Sequence, residues 1–164
     1  MSTTVETIVI GLGEWAVRKN DSAALTCVGL GSCIALCAYD PVSKVGGMAH
    51  MVLPSNESGT KIASAKYVDT GIPMLLEEMK KKGALISRTV VKIAGGAQML
   101  SVPGLNGRLN VADRNIAATK TALAQAGVSA TGTEVGGNSG RTVQLFLDTG
   151  RVTVRATGKE TCEL

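Results

Sequence analysis

Glycine punctuation constrains this chain more than any other feature. Apolar residues of the first third come in runs of four to seven, each closed by glycine or a turn sequence, which suits strands and is too short for helices. Runs 7–10 and 14–17 are separated by Gly11 and Gly13, and run 24–28 ends in Gly29-Leu30-Gly31. Runs 34–39 and 47–53 flank Asp40-Pro41-Val42-Ser43-Lys44, which has the composition of a hairpin loop. Residues 54–59 read as a surface loop.

The middle of the chain changes period. Over 66–82, Ile72, Leu75, Leu76 and Met79 recur at helical spacing, with Glu77, Glu78 and three lysines opposite. Lys80, Lys81 and Lys82 suit the negative end of the helix dipole, and Gly83 is a natural stop. Pro73 predicts that the helix starts near it or kinks there. A buried strand over 89–93 leads into Gly95-Gly96, and a second helix over 113–125 carries Ile116, Thr119 and Leu123 before Gly127. Runs 128–135, 142–147 and 152–154 are strands again. No repeat or linker divides the 164 residues, so residues 1–164 read as a single α+β domain, sheet packed on sheet with two main helices outside.

Composition excludes several functions. One Trp, two Tyr and one Phe are too few for a base-stacking platform, and a scattered net charge of +4 marks no basic patch, so no nucleic-acid partner is expected. No apolar run reaches the ~18 residues of a membrane span, which predicts no membrane insertion. The N-terminal residues lack a secretory signal pattern, and four cysteines without one point to reduced thiols and a cytoplasmic location.

Chemistry concentrates at Gly29-Leu30-Gly31-Ser32-Cys33. Flanking glycines let the backbone approach a ligand, and N–H groups around Gly31, Ser32 and Cys33 can converge as an oxyanion hole. The sole histidine is His50. If 34–39 and the strand to 53 pair antiparallel, Cys33 and His50 come together at the ladder, and the imidazole would lower the thiol pKa. The alternative for Cys33 is a small buried apolar residue, the reading preferred for Cys37. Gly11-Leu12-Gly13-Glu14-Trp15-Ala16 matches a dinucleotide fingerprint only without its helix, so two strand-bend glycines explain it better and no cofactor is expected. A zinc site is disfavoured, because Cys33 and Cys37 on one strand lie roughly 13 Å apart. Ser32 lacks the G-x-S-x-G elbow of a serine hydrolase.

These blocks resemble a known family. Gly29 to Cys33, Tyr39-Asp40-Pro41, Gly46-Gly47-Met48-Ala49-His50 and Met51-Val52-Leu53-Pro54 are similar to the chemoreceptor glutamine deamidases of chemotaxis, CheD. The likeness continues through Lys66-Tyr67-Val68-Asp69, the Lys92 to Met99 block, Arg114-Asn115, and Gly136-Gly137-Asn138-Ser139-Gly140-Arg141. The resemblance implies a cysteine hydrolase related to toxin deamidases, with mixed sheets and flanking helices. It would convert receptor glutamines to glutamate, with Cys33 as nucleophile and His50 as base. It also implies a CheC-type phosphatase as partner; a weakly or non-catalytic regulator of that phosphatase is the alternative reading. The family's third catalytic member, a threonine six positions before the nucleophile, falls here on Cys27. Either Thr26 takes the role after a register shift, or Cys27 does, or His50 is oriented otherwise; Thr26 is the preferred expectation.

Overall fold

The computed structural model describes residues 4–58, 64–99 and 110–164. Two five-stranded sheets form. The first runs β1 (Thr7–Val9), β3 (Ala24–Leu30), β8 (Arg141–Phe146), β9 (Val152–Ala156), β10 (Thr161–Glu163). The second runs β2 (Trp15–Lys19), β5 (Val45–Met51), β4 (Ile34–Asp40), β6 (Val90–Gly95), β7 (Ala130–Val135). Each holds one parallel pair, β1 with β3 and β6 with β7, so both are mixed.

The two sheets close over an apolar interior. Leu25, Cys27, Val143 and Leu145 of the first meet Ala35, Cys37, Met48 and Ala94 of the second. The second sheet's other face carries Ile34, Leu36, Val45, Ala49 and Met51. These pack against Ile72, Leu75 and Met79 of α1 (Val68–Lys81) and Leu123 of α2 (Val111–Gln125). The result is three layers, sheet on sheet with both helices on one side. β4, in the middle layer, is buried at all seven positions, which is why it reads as a continuous apolar run without alternation.

Local chemistry sets the element ends. α1 begins before Pro73 and runs through it, since a proline early in a helix forfeits a single backbone bond. Gly83 and Gly127 follow the two helices with φ of +104° and +72°, the left-handed geometry that glycine permits at a helix end. α2 starts at Val111, ahead of the expected 113, because the Asn110 side chain accepts the Asp113 N–H at 3.1 Å. Strand 47–53 shifts to Val45–Met51, starting directly after the expected loop. That loop is held by Asp40, which is fully buried and accepts from Val42 N, Ser43 N, Leu85 N and the Arg88 guanidinium. Burial pushes its carboxyl up, but those donors outweigh it and hold the group well below the usual carboxylate range. Among the described residues no helix is long and apolar enough to cross a membrane.

Candidate active site

The bend bearing Cys33 is built by its neighbours' backbones. β3 shifts register between Cys27 and Leu30, with Gly29 at φ +65°, and the chain turns through Gly31-Ser32-Cys33 into β4. All three carbonyls of the bend are anchored. Ala97 N–H donates to Gly31 O at 2.9 Å, Asn115 Nδ2 to Ser32 O at 2.9 Å, and Gly96 N–H to Cys33 O at 2.9 Å. In a trans peptide the N–H points opposite the C=O, so anchoring the first two carbonyls turns the Ser32 and Cys33 N–H groups to the other side. The Ser32 N–H has no acceptor among the described residues, and the Cys33 N–H meets its own thiol. This is the donor arrangement an oxyanion hole requires. Gly95 permits the approach: at φ +113°, a Cβ on it would lie 2.1 Å from Cys33 O.

His50 arrives on the adjacent strand. Ala35 lies directly opposite His50, and Ile34 opposite Met51. Cys33, one residue before Ile34, is therefore a diagonal neighbour of His50 on the face turned toward the first sheet. The imidazole is 4% exposed. Its Nδ1 lies 2.9 Å from Ile10 O. A carbonyl can only accept, so Nδ1 carries the proton and Nε2 keeps the lone pair. Nε2 is buried with no hydrogen-bond partner among the described residues.

The Gly11-Leu12-Gly13 turn holds the backbone of the same residue. Gly13 N–H donates to His50 O at 2.8 Å, and His50 N–H to Glu14 O at 3.0 Å. Gly13 takes φ +73°, and β2 follows with no helix, so the segment is a bend and lacks the helix N-terminus that a dinucleotide site uses. Both glycines lie in the bend that their pattern predicts, and the same turn also cradles His50, which the pattern does not signal. Ile10 and Asn115 were missed as well; for Asn115 the available signal was a polar residue on the buried side of a helix.

Thr26 and His50 are not brought together. Thr26 pairs with Gln144 across β3 and β8, and Gln144 Nε2 donates to its hydroxyl at 3.3 Å. Leu25 and Cys27 face the interior between the sheets, so Thr26, between them, lies on the opposite face of the first sheet, where it is buried as well. The bulge that could have altered this comes only after Cys27. The expected contact with His50 is thereby corrected: the imidazole partner is the Ile10 carbonyl, and Thr26 contributes through its backbone oxygen, which accepts from Ile10 N–H at 2.8 Å. Cys27 does point inward, its Sγ 3.4 Å from Met48 Sδ.

Three thiols share this interior, and their burial differs. Cys27 and Cys37 are 0% and 2% exposed, whereas Cys33 keeps 9%. Burial, with Cys33 adding to it, pushes the Cys27 thiol up to about 12, and burial also raises Cys37. Burial raises Cys33 too, opposed by its own backbone N–H. The imidazole is not among the influences on the Cys33 thiol, and burial, the largest of them, works against the thiolate. Cys162, on the β10 edge, is exposed. Among the described residues no three His, Cys, Asp or Glu side chains gather in a set fit for a metal ion.

Comparison with known proteins adds relatives to this geometry. The family described as CheD chemotactic sensory transduction matches residues 52–156. The chain is 44% identical over 150 residues to the chemoreceptor glutamine deamidase CheD of Thermotoga maritima, covering 92% of each. It is 41% identical over 157 residues to the probable chemoreceptor glutamine deamidase CheD of Symbiobacterium thermophilum, covering 94% of this chain and 95% of that one. A probable CheD from Archaeoglobus fulgidus is 40% identical over 148 residues, 90% of this chain and 92% of the relative.

Proposed function

The chain belongs to the CheD family, and from that premise we propose that it is an enzyme that hydrolyses glutamine side-chain amides of chemoreceptors to glutamate and ammonia. The observation that carries the mechanism is the His50 ring, proton fixed on Nδ1 and lone pair free on Nε2, beside Cys33 on one sheet face.

When the carboxamide enters, Nε2 takes the Cys33 proton and the sulfur attacks the amide carbon. Negative charge gathers on the amide oxygen, where the Ser32 and Cys33 N–H groups meet it. His50 returns the proton to the departing nitrogen, which leaves as ammonia, and a thioester remains. Nε2 then removes a proton from water as the oxygen adds to the thioester carbon, releasing glutamate and restoring the thiol. The positive ring formed in each half is steadied by the Ile10 carbonyl, the role that the family gives to a threonine. Cys27, in the place of that threonine, lines the interior beside Met48.

Family membership also supports a cytoplasmic location, kinship with toxin deamidases, one deamidase domain over residues 1–164, and a CheC-type phosphatase as second partner. Incubation with a receptor cytoplasmic fragment tests the reading. Ammonia and a gain of about 1 Da at a glutamine are expected; Cys33→Ala and His50→Ala abolish both. An unchanged fragment, or full activity in Cys33→Ala, would overturn it.

A further inference from the structure

Asn115 lies on α2, outside both the bend that carries Cys33 and the strand that carries His50, and is 0% exposed. One Nδ2 group donates to two carbonyls, Ser32 O and Val52 O, each at 2.9 Å. Ser32 O belongs to the peptide whose N–H is that of Cys33. Val52 lies two residues past His50 on the same stretch of chain. A single side chain thus ties the bend to the end of the base-bearing strand. Among the described residues its buried Oδ1 has no partner, a cost that an apolar side chain packed in the same place would not carry.

We infer that Asn115 is a positioning residue for the oxyanion hole. Its amide fixes the plane of the Ser32–Cys33 peptide, so that the Cys33 N–H is aimed before substrate arrives. Donation to Ser32 O also polarises that peptide, and a polarised peptide makes a stronger N–H donor. The effect is specific to charge on the amide oxygen. Sulfur reactivity with a reagent that develops no oxyanion does not depend on it. The inference rests on the deamidase reading, and it concerns kcat more than substrate binding.

The test compares two reactions of Cys33 in a Cys162→Ser background, with the wild-type background giving glutamate as the precondition. Asn115→Ala is expected to lower kcat by about 10- to 100-fold with KM within about threefold. Alkylation of Cys33 by iodoacetamide, an SN2 displacement without an oxyanion, should stay within about twofold of the parent. Asn115→Ser, which keeps one donor, should fall between, and gives the answer if the alanine variant does not fold. Thr119→Val serves as the helix control, since Thr119 Oγ1 bonds Asn115 O at 2.8 Å without touching the bend; kcat should hold there. Unchanged kcat in the Asn115 variants, equal losses in kcat and alkylation, or an equal loss in Thr119→Val would each overturn the inference. If the parent itself makes no glutamate, the deamidase reading fails instead.

Discussion

At Cys33, catalysis and accessibility pull in opposite directions. Burial at the edge of an apolar interior disfavours the Cys33 thiolate, so on the proposed mechanism attack by sulfur follows transfer of its proton to His50. In Cys162→Ser protein, iodoacetamide should modify Cys33 before Cys27 or Cys37. Because burial raises the thiol above its ordinary 9.0, the thiolate fraction keeps growing beyond that pH, and the rate should climb past pH 9. A plateau near neutrality, read by peptide mass mapping, would indicate a preformed ion pair. Thr26→Val should keep kcat within about threefold, because its hydroxyl is bonded to Gln144 and not to His50. That Cys33 and His50 would be neighbours was legible in the sequence as one thiol after glycines and one imidazole at hairpin distance. The third partner was not, because a backbone carbonyl is common to all residues, so Ile10 carries no side-chain signal for this role.

Among the elements, the β4–β5 hairpin positions His50, the proposed base, and the residues after β6 anchor the bend of Cys33, the proposed nucleophile. Asp40 locks the hairpin; removing its carboxylate strands the Arg88 charge and three backbone donors, and Asp40→Ala should cost about 3 kcal/mol in urea unfolding. The sign of the pH dependence follows from the carboxyl lying below its ordinary 3.8 when folded. Its contribution is present above pH 4 and lost as pH falls toward the folded value, so the gap between parent and Asp40→Asn should narrow in acid. Gly95→Ala meets both a positive φ and Cys33 O; we expect a loss of about 2 kcal/mol or more and a larger loss of kcat. Element types were readable because their periods are strong. β10 was missed, as a short, exposed edge strand leaves no pattern, and Asn110 was overlooked because the cap stands before the periodic residues begin. Strand order across two sheets depends on contacts between distant segments, which periodicity within a segment does not encode.

For the whole molecule, apolar side chains stand exposed on the segments that lead into the Cys33 bend and the turn that holds His50. Leu12 (70% exposed) tips the turn that cradles His50, Val28 (59%) stands in the β3 bulge, and Met99 (54%) lies against Gly31. Single exposed apolar residues are ordinary, but three beside one site suit the docking of a protein surface. Val28→Glu and Met99→Glu should raise KM for a receptor fragment by about fivefold or more while kcat changes little; a fall in kcat alone would remove these residues from docking. The proposed mechanism passes through a thioester between the sulfur at position 33 and the glutamine side chain. Acid-quenched intact mass spectrometry of the enzyme mixed with receptor fragment measures this directly. A transient adduct equal to the two chains less about 17 Da, the mass of ammonia, and localised to Cys33 is expected; glutamate production with no such adduct at any quench time, or an adduct on another cysteine, would overturn the mechanism.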